Sequence, residues 1–100
     1  MAKKIIWSLK AQNDRKQILE YWKNRNKSNT YSIKLNELFK EAIRLISTHP
    51  KIGKLTSKEN TRVKIVKDYL IIYEETQNQI IVLTILDSRR DPDVLNETLK

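Results

Sequence analysis

Residues 62–93, RVKIVKDYLIIYEETQNQIIVLTILDSRRDPD, decide the fold. In RVKIVK, Arg62, Lys64 and Val66 alternate with Val63, Ile65 and Lys67, so one face carries Arg62 and Lys64 and the other aliphatics. That is the pattern of a half-buried strand. YLIIYEE and IIVLTILD follow, apolar on both faces and rich in β-branched residues, as strands covered on both sides are. Lys67-Asp68 and Thr76-Gln77-Asn78-Gln79 interrupt the apolar runs briefly enough for hairpin turns. The predicted three-stranded meander stops at Ser88-Arg89-Arg90-Asp91-Pro92, because proline lacks a backbone donor and cannot continue an interior strand.

Upstream of it, Lys3 to Leu9 is too short a strand to stand alone, so it is expected to pair with the meander. From Lys10 the period becomes helical: Ala11, Ile18, Trp22 and, slightly aside, Leu19 share a face, opposite Lys16, Glu20, Lys23 and Asn24. The polar break at residues 24–29 offers Ser28 or Asn29 as an N-cap. A second helix, about Thr30 to Thr48, repeats Tyr31, Leu35, Leu38, Phe39, Ala42, Ile43 and Ile46 at three- and four-residue intervals. His49-Pro50 ends it, since proline pushes the preceding residue out of the α region. Gly53, the single glycine, is expected to hold a positive φ in the connector.

The order β-α-α-β-β-β predicts an α+β domain spanning residues 1–100, with a helical hairpin on one face of a four-stranded, mainly antiparallel sheet. The chain has no cysteine, hence no disulfide or thiolate metal site, and no run near the roughly 20 apolar residues of a membrane span. A cytoplasmic location without membrane contact is the expectation.

The formal charge of +8 is uneven: residues 1–58 hold 14 Lys/Arg against 4 Asp/Glu, and residues 59–100 hold 6 against 8. That excess suits an acidic partner or nucleic acid, and equally a solvated basic surface. Two helices cover one side of the sheet. The expected open side carries Arg62, Lys64, Tyr69 and Tyr73, with Arg89 and Arg90 beyond the last strand, a set able to meet phosphates and stacked bases. For metal-free RNA cleavage, Arg89 and Arg90 would supply cations, Asp87 a weak base, and Tyr73 or a lysine an acid. Asp87 reads more readily as an ion-pair or turn residue than as a base, and His49, the only histidine, as a helix-end or surface residue rather than a catalytic base. No Gly-rich phosphate loop, HExxH or ligand cluster occurs, so no cofactor or metal is expected.

Several pieces in this order resemble the RelE/ParE superfamily, the toxins of type II toxin–antitoxin modules often labelled plasmid-stabilisation proteins. They are Trp7-Ser8, Ala11, Ile18, Tyr21, Leu45, His49-Pro50, Gly53, Arg62, Val66, Tyr69, Ile72-Tyr73, residues 80–86, and Arg89-Arg90-Asp91-Pro92. The resemblance implies a compact toxin neutralised by a cognate antitoxin, docked in the grooves between helical hairpin and sheet. RelE-like members cleave messenger RNA on the ribosome without a metal, using basic residues on the sheet and near the C-terminus. ParE-like members inhibit DNA gyrase. The RelE-like arginine position of the middle strand is Leu70 here, and its later tyrosine falls near Leu95, whereas Arg89 matches the cation after the last strand. The resemblance therefore implies a ParE-like binder of a target such as gyrase. The alternatives are a ribonuclease using Arg62, Lys64, Arg89 and Arg90, and a small basic nucleic-acid-binding domain. In either case the acidic segment Asp91 to Glu97 is a candidate to fold over the site.

Overall fold

The computed structural model describes residues 2–89. The chain runs β1 (Lys4–Trp7), α1 (Leu9–Asn26), α2 (Thr30–Thr48), a 3-10 turn (Pro50–Ile52), β2 (Lys54–Leu55), β3 (Thr61–Val66), β4 (Tyr69–Glu75) and β5 (Gln79–Asp87). The sheet has five strands in the order β1-β5-β4-β3-β2, one more than the periodicity predicts. The extra strand is the two-residue β2, too short to leave a signature in the sequence. The meander pairs antiparallel, while β1 lies parallel to β5 with Ile5 opposite Ile80.

Local chemistry explains the boundaries. Ser8 caps α1 by accepting the Ala11 N–H at 3.0 Å, and its own hydroxyl donates to the Leu83 carbonyl. Asn29 occupies the N-cap of α2 without a side-chain bond, and the Ser28 hydroxyl accepts the Thr30 N–H instead. His49 closes α2, its N–H donating to the Leu45 carbonyl, and Pro50 starts the 3-10 turn. Lys67, in the two-residue β3–β4 turn, takes φ 56°.

Gly53 does not have a positive φ; it is extended at φ −73°. Its reason is space. A Cβ there would meet the Tyr73 hydroxyl at 2.6 Å and the Val63 carbonyl oxygen at 2.9 Å.

The main core lies between the helices and the sheet. Leu35, Phe39 and Ile46 of α2 meet Tyr69, Ile71 and Tyr73 of β4 and Ile80, Val82 and Ile85 of β5, with Ala11, Ile18, Leu19 and Trp22 from α1. Each large aliphatic or aromatic fully enclosed here contributes about 1.5–3 kcal/mol. The opposite face carries a smaller cluster of Val63, Leu70 and Ile72, flanked by Leu83 and Leu86. That side of the sheet is apolar rather than basic.

Candidate functional site

Residues paired across antiparallel strands share a face. Arg62 stands opposite Tyr73, Lys64 opposite Ile71 and Val66 opposite Tyr69, so the charged face of β3 is the one that bears the helices. The expected open platform of Arg62, Lys64, Tyr69 and Tyr73 does not form. Alternation on β3 was legible in the sequence; which side the helices would take was not.

Both tyrosines are core residues, 2% and 0% exposed, and neither offers a ring for a base to stack on. The Tyr69 hydroxyl accepts the indole N–H of Trp22 at 2.7 Å, and its ring meets Phe39 edge-on. The Tyr73 hydroxyl accepts the Gly53 N–H at 3.0 Å and donates to the Pro50 carbonyl at 2.7 Å. Burial raises the pKa of both phenols, outweighing the hydrogen bonds from Trp22 and Gly53 respectively.

Arg62 faces inward along the chain: its Nη1 donates to the carbonyls of Gly53 (2.8 Å) and Lys51 (3.2 Å), tying the connector to β3. Arg89 sits at the other end of the sheet. Its guanidinium lies 5.6 Å from the Trp22 ring centre and 6.0 Å from that of Tyr69, a cation–π seat. Asp87 hydrogen-bonds it at 3.3 Å and Asp68 pairs at 3.5 Å, so its pKa is raised, chiefly by the Asp87 hydrogen bond. Tyr73, opposite Arg62, and Tyr69, whose ring faces the Arg89 guanidinium, are four residues apart along β4, roughly 13 Å of chain. Arg90, and the segment from Asp91 to Glu97, lie outside the described residues.

Beside the Arg89 seat a cleft of about 420 Å³ opens between α1 and β5, lined among others by Asp14, Gln17, Tyr21 and Asp87. Two carboxylates in one cleft disfavour a phosphate. Asp14, which sequence reasoning passed over, serves the sheet: its carboxylate accepts the Thr84 hydroxyl and the Ile85 N–H, the latter at 3.2 Å. β1 has ended at Trp7, opposite Val82, so this carboxylate satisfies the edge of β5 beyond it. The His49 ring shares a hydrogen bond with the neighbouring Thr48 hydroxyl at 3.0 Å. Among the described residues no group of His, Cys, Asp or Glu could hold a metal, and no helix is long and apolar enough to cross a membrane.

A third region joins the end of α2 to the sheet. Lys3 donates to Glu75 at 2.9 Å and to the Thr76 carbonyl at 2.6 Å, and Lys51 reaches the other Glu75 oxygen at 3.3 Å. The Lys3 hydrogen bond foremost, with that from Lys51, holds the Glu75 carboxyl below its usual pKa against its desolvation. Over these residues lies a groove of about 680 Å³ walled by Leu45, Pro50 and Ile52.

Comparison with known proteins places this geometry. The profile described as "ParE toxin of type II toxin-antitoxin system, parDE" matches residues 5–92. No curated protein matches the sequence. Among solved structures, one titled "Chromosomal ParDE TA system from P. aeruginosa" is similar at TM-score 0.73 and 13% identity, over 86% of this chain and 96% of that one. A free-state mutant of the E. coli toxin RelE is similar at TM-score 0.65 and 15% identity, over 98% of this chain and 95% of that one. These two structures share the fold, and the profile spans most of the sequence: the chain belongs to the ParE toxin family of type II toxin–antitoxin systems.

Proposed function

We propose that this toxin acts in the cytoplasm by binding a macromolecular target, DNA gyrase, rather than by cutting RNA, and that a cognate antitoxin holds it inactive. The observation that supports binding over cleavage is where Arg62 and Arg89 direct their donors. Arg62 is committed to the Gly53 and Lys51 carbonyls and Arg89 to Asp87 and Asp68, at separate ends of the sheet. Metal-free cleavage needs a base, a proton donor and cations converging on one phosphate. Here Tyr73, the tyrosine read as a proton donor, is enclosed, and the cleft beside Arg89 carries two carboxylates, Asp14 and Asp87. A toxin working by occupancy needs none of that convergence.

The test is a paired assay of the purified chain on gyrase-driven supercoiling and on transcripts in a translating extract. Supercoiling inhibited while the transcripts stay whole is the expected result. Cut transcripts with normal supercoiling would overturn it in favour of a ribonuclease, and Arg89→Ala would then show whether that cation takes part.

A further inference from the structure

The groove at the end of α2 is built more firmly than a connector requires. The Tyr73 hydroxyl holds Pro50, Arg62 holds the Lys51 carbonyl, and the Lys51 side chain reaches Glu75. On the opposite wall Ser47 and Lys3 bind each other twice, the Lys3 N–H donating to the Ser47 carbonyl (2.9 Å) and the Ser47 hydroxyl to the Lys3 carbonyl (2.7 Å). These ties fix the walls, so the groove exists before anything enters it. Nonetheless Leu45 and Ile52 face it 39% and 41% exposed. Isolated exposed aliphatics are ordinary; two of them flanking a proline in a fixed groove of ligand size are a ready anchor site.

The rim chooses the occupant. Two lysines share the single carboxylate of Glu75, which leaves positive charge in excess beside the apolar wall. Lys3 spends two of its three N–H donors on Glu75 and the Thr76 carbonyl and its side chain is 22% exposed, whereas Lys51 uses one on Glu75 and its side chain is 75% exposed, free to take a second carboxylate. Nucleic acid would find cations there, but among the described lining residues only the His49 imidazole, and no Phe, Tyr or Trp, to stack on.

We infer that this groove is a docking point for the antitoxin: an acidic, amphipathic segment inserts an aliphatic or aromatic side chain between Leu45 and Ile52 and sets a carboxylate against Lys51. This rests on the family reading and adds to it a place and a chemistry. Such a segment is able to order on arrival, with one buried anchor fixing its register and the surface charge speeding the encounter.

The measurement is the affinity of the full chain for its cognate antitoxin, using the protein encoded beside it, for wild type and for Ile52→Asp, Leu45→Asp, Lys51→Glu and the distant Lys16→Glu. Ile52 and Leu45 are exposed enough to be replaced without unfolding, which circular dichroism and thermal melting check. Affinity is expected to fall about tenfold or more in Ile52→Asp and Leu45→Asp. It should fall several-fold in Lys51→Glu, more at low salt than at high, and within about twofold in Lys16→Glu. Folded groove variants that bind like wild type overturn this inference alone. A wild-type chain that binds no antitoxin overturns the family-based partner and this inference together. If the groove variants instead change only self-association, or only the binding of a DNA duplex or an RNA oligonucleotide, the occupant is another one and the inference is likewise overturned.

Discussion

The hydroxyl of Tyr73 lies 3.0 Å from the backbone nitrogen of Gly53, twenty residues away, and the absent Gly53 side chain is what lets it come so near. One phenol thereby satisfies a buried N–H and a carbonyl of the connector at once. Tyr73→Phe keeps the ring and orphans both groups, so it should cost about 1–3 kcal/mol in urea denaturation. Gly53→Ala should cost at least as much, since a backbone oxygen as well as the phenol stands in its way. Equal stability of either variant with wild type would contradict the arrangement.

Arg62 provides the matching test of a side chain read from sequence as a phosphate ligand. Its donors serve two carbonyls of the same connector, and Arg62→Ala should therefore lower stability by about 1–2 kcal/mol. Arg62→Lys should recover only part of this, because an ammonium lacks the planar fork. The check is chemical denaturation of the purified variants.

At the far edge of β5, removing the Asp14 carboxylate should expose the Ile85 amide. Asp14→Ala is expected to speed hydrogen exchange at Ile85 more than at Val82, which lies under the helices, and to cost about 1–2 kcal/mol globally. Uniform exchange changes across β5 would mean that the carboxylate does not act locally.

Stability should decline at both ends of the pH scale for separate reasons. Glu75 has its pKa lowered by Lys3 and Lys51, so its contribution is complete above the unfolded value near 4.5 and is lost as pH falls through the lower folded value. Tyr69 and Tyr73 have theirs raised by burial, so the fold is favoured below the unfolded value of 10.0 and weakens as pH climbs through the folded one. Melting temperatures measured against pH should show Glu75→Gln flattening the acid limb and Tyr73→Phe flattening part of the alkaline limb.

The fold was largely legible from local pattern. Leu35, Phe39 and Ile46 recur at helical spacing and reach the core, α2 spans Thr30–Thr48 as the periodicity predicts, and β4 is buried over Tyr69–Tyr73 as its two-sided apolar run requires. The candidate site was less so. Alternation along β3 separates Arg62 and Lys64 from Val63 and Ile65, but it does not tell which set faces the helices, and both tyrosines went to the wrong environment on that one undetermined choice. Glu75 and Asp14 were passed over because their partners, Lys3, Lys51 and the Ile85 amide, lie far off in sequence. Leu45 and Ile52 form a wall only once α2 and the 3-10 turn have folded together.

Among the described strands, the earliest in chain order takes its place beside the latest. β1 has no sheet neighbour until residues 79–87 are made, and Ile5 must wait for Ile80 before that edge of the layer closes. Closure of that edge thus waits on strands more than seventy residues apart, the slow kind that distant pairings impose. A toxin-family chain made this way stays incomplete until β5 has been translated, and a truncated product lacking β5 never acquires the finished sheet.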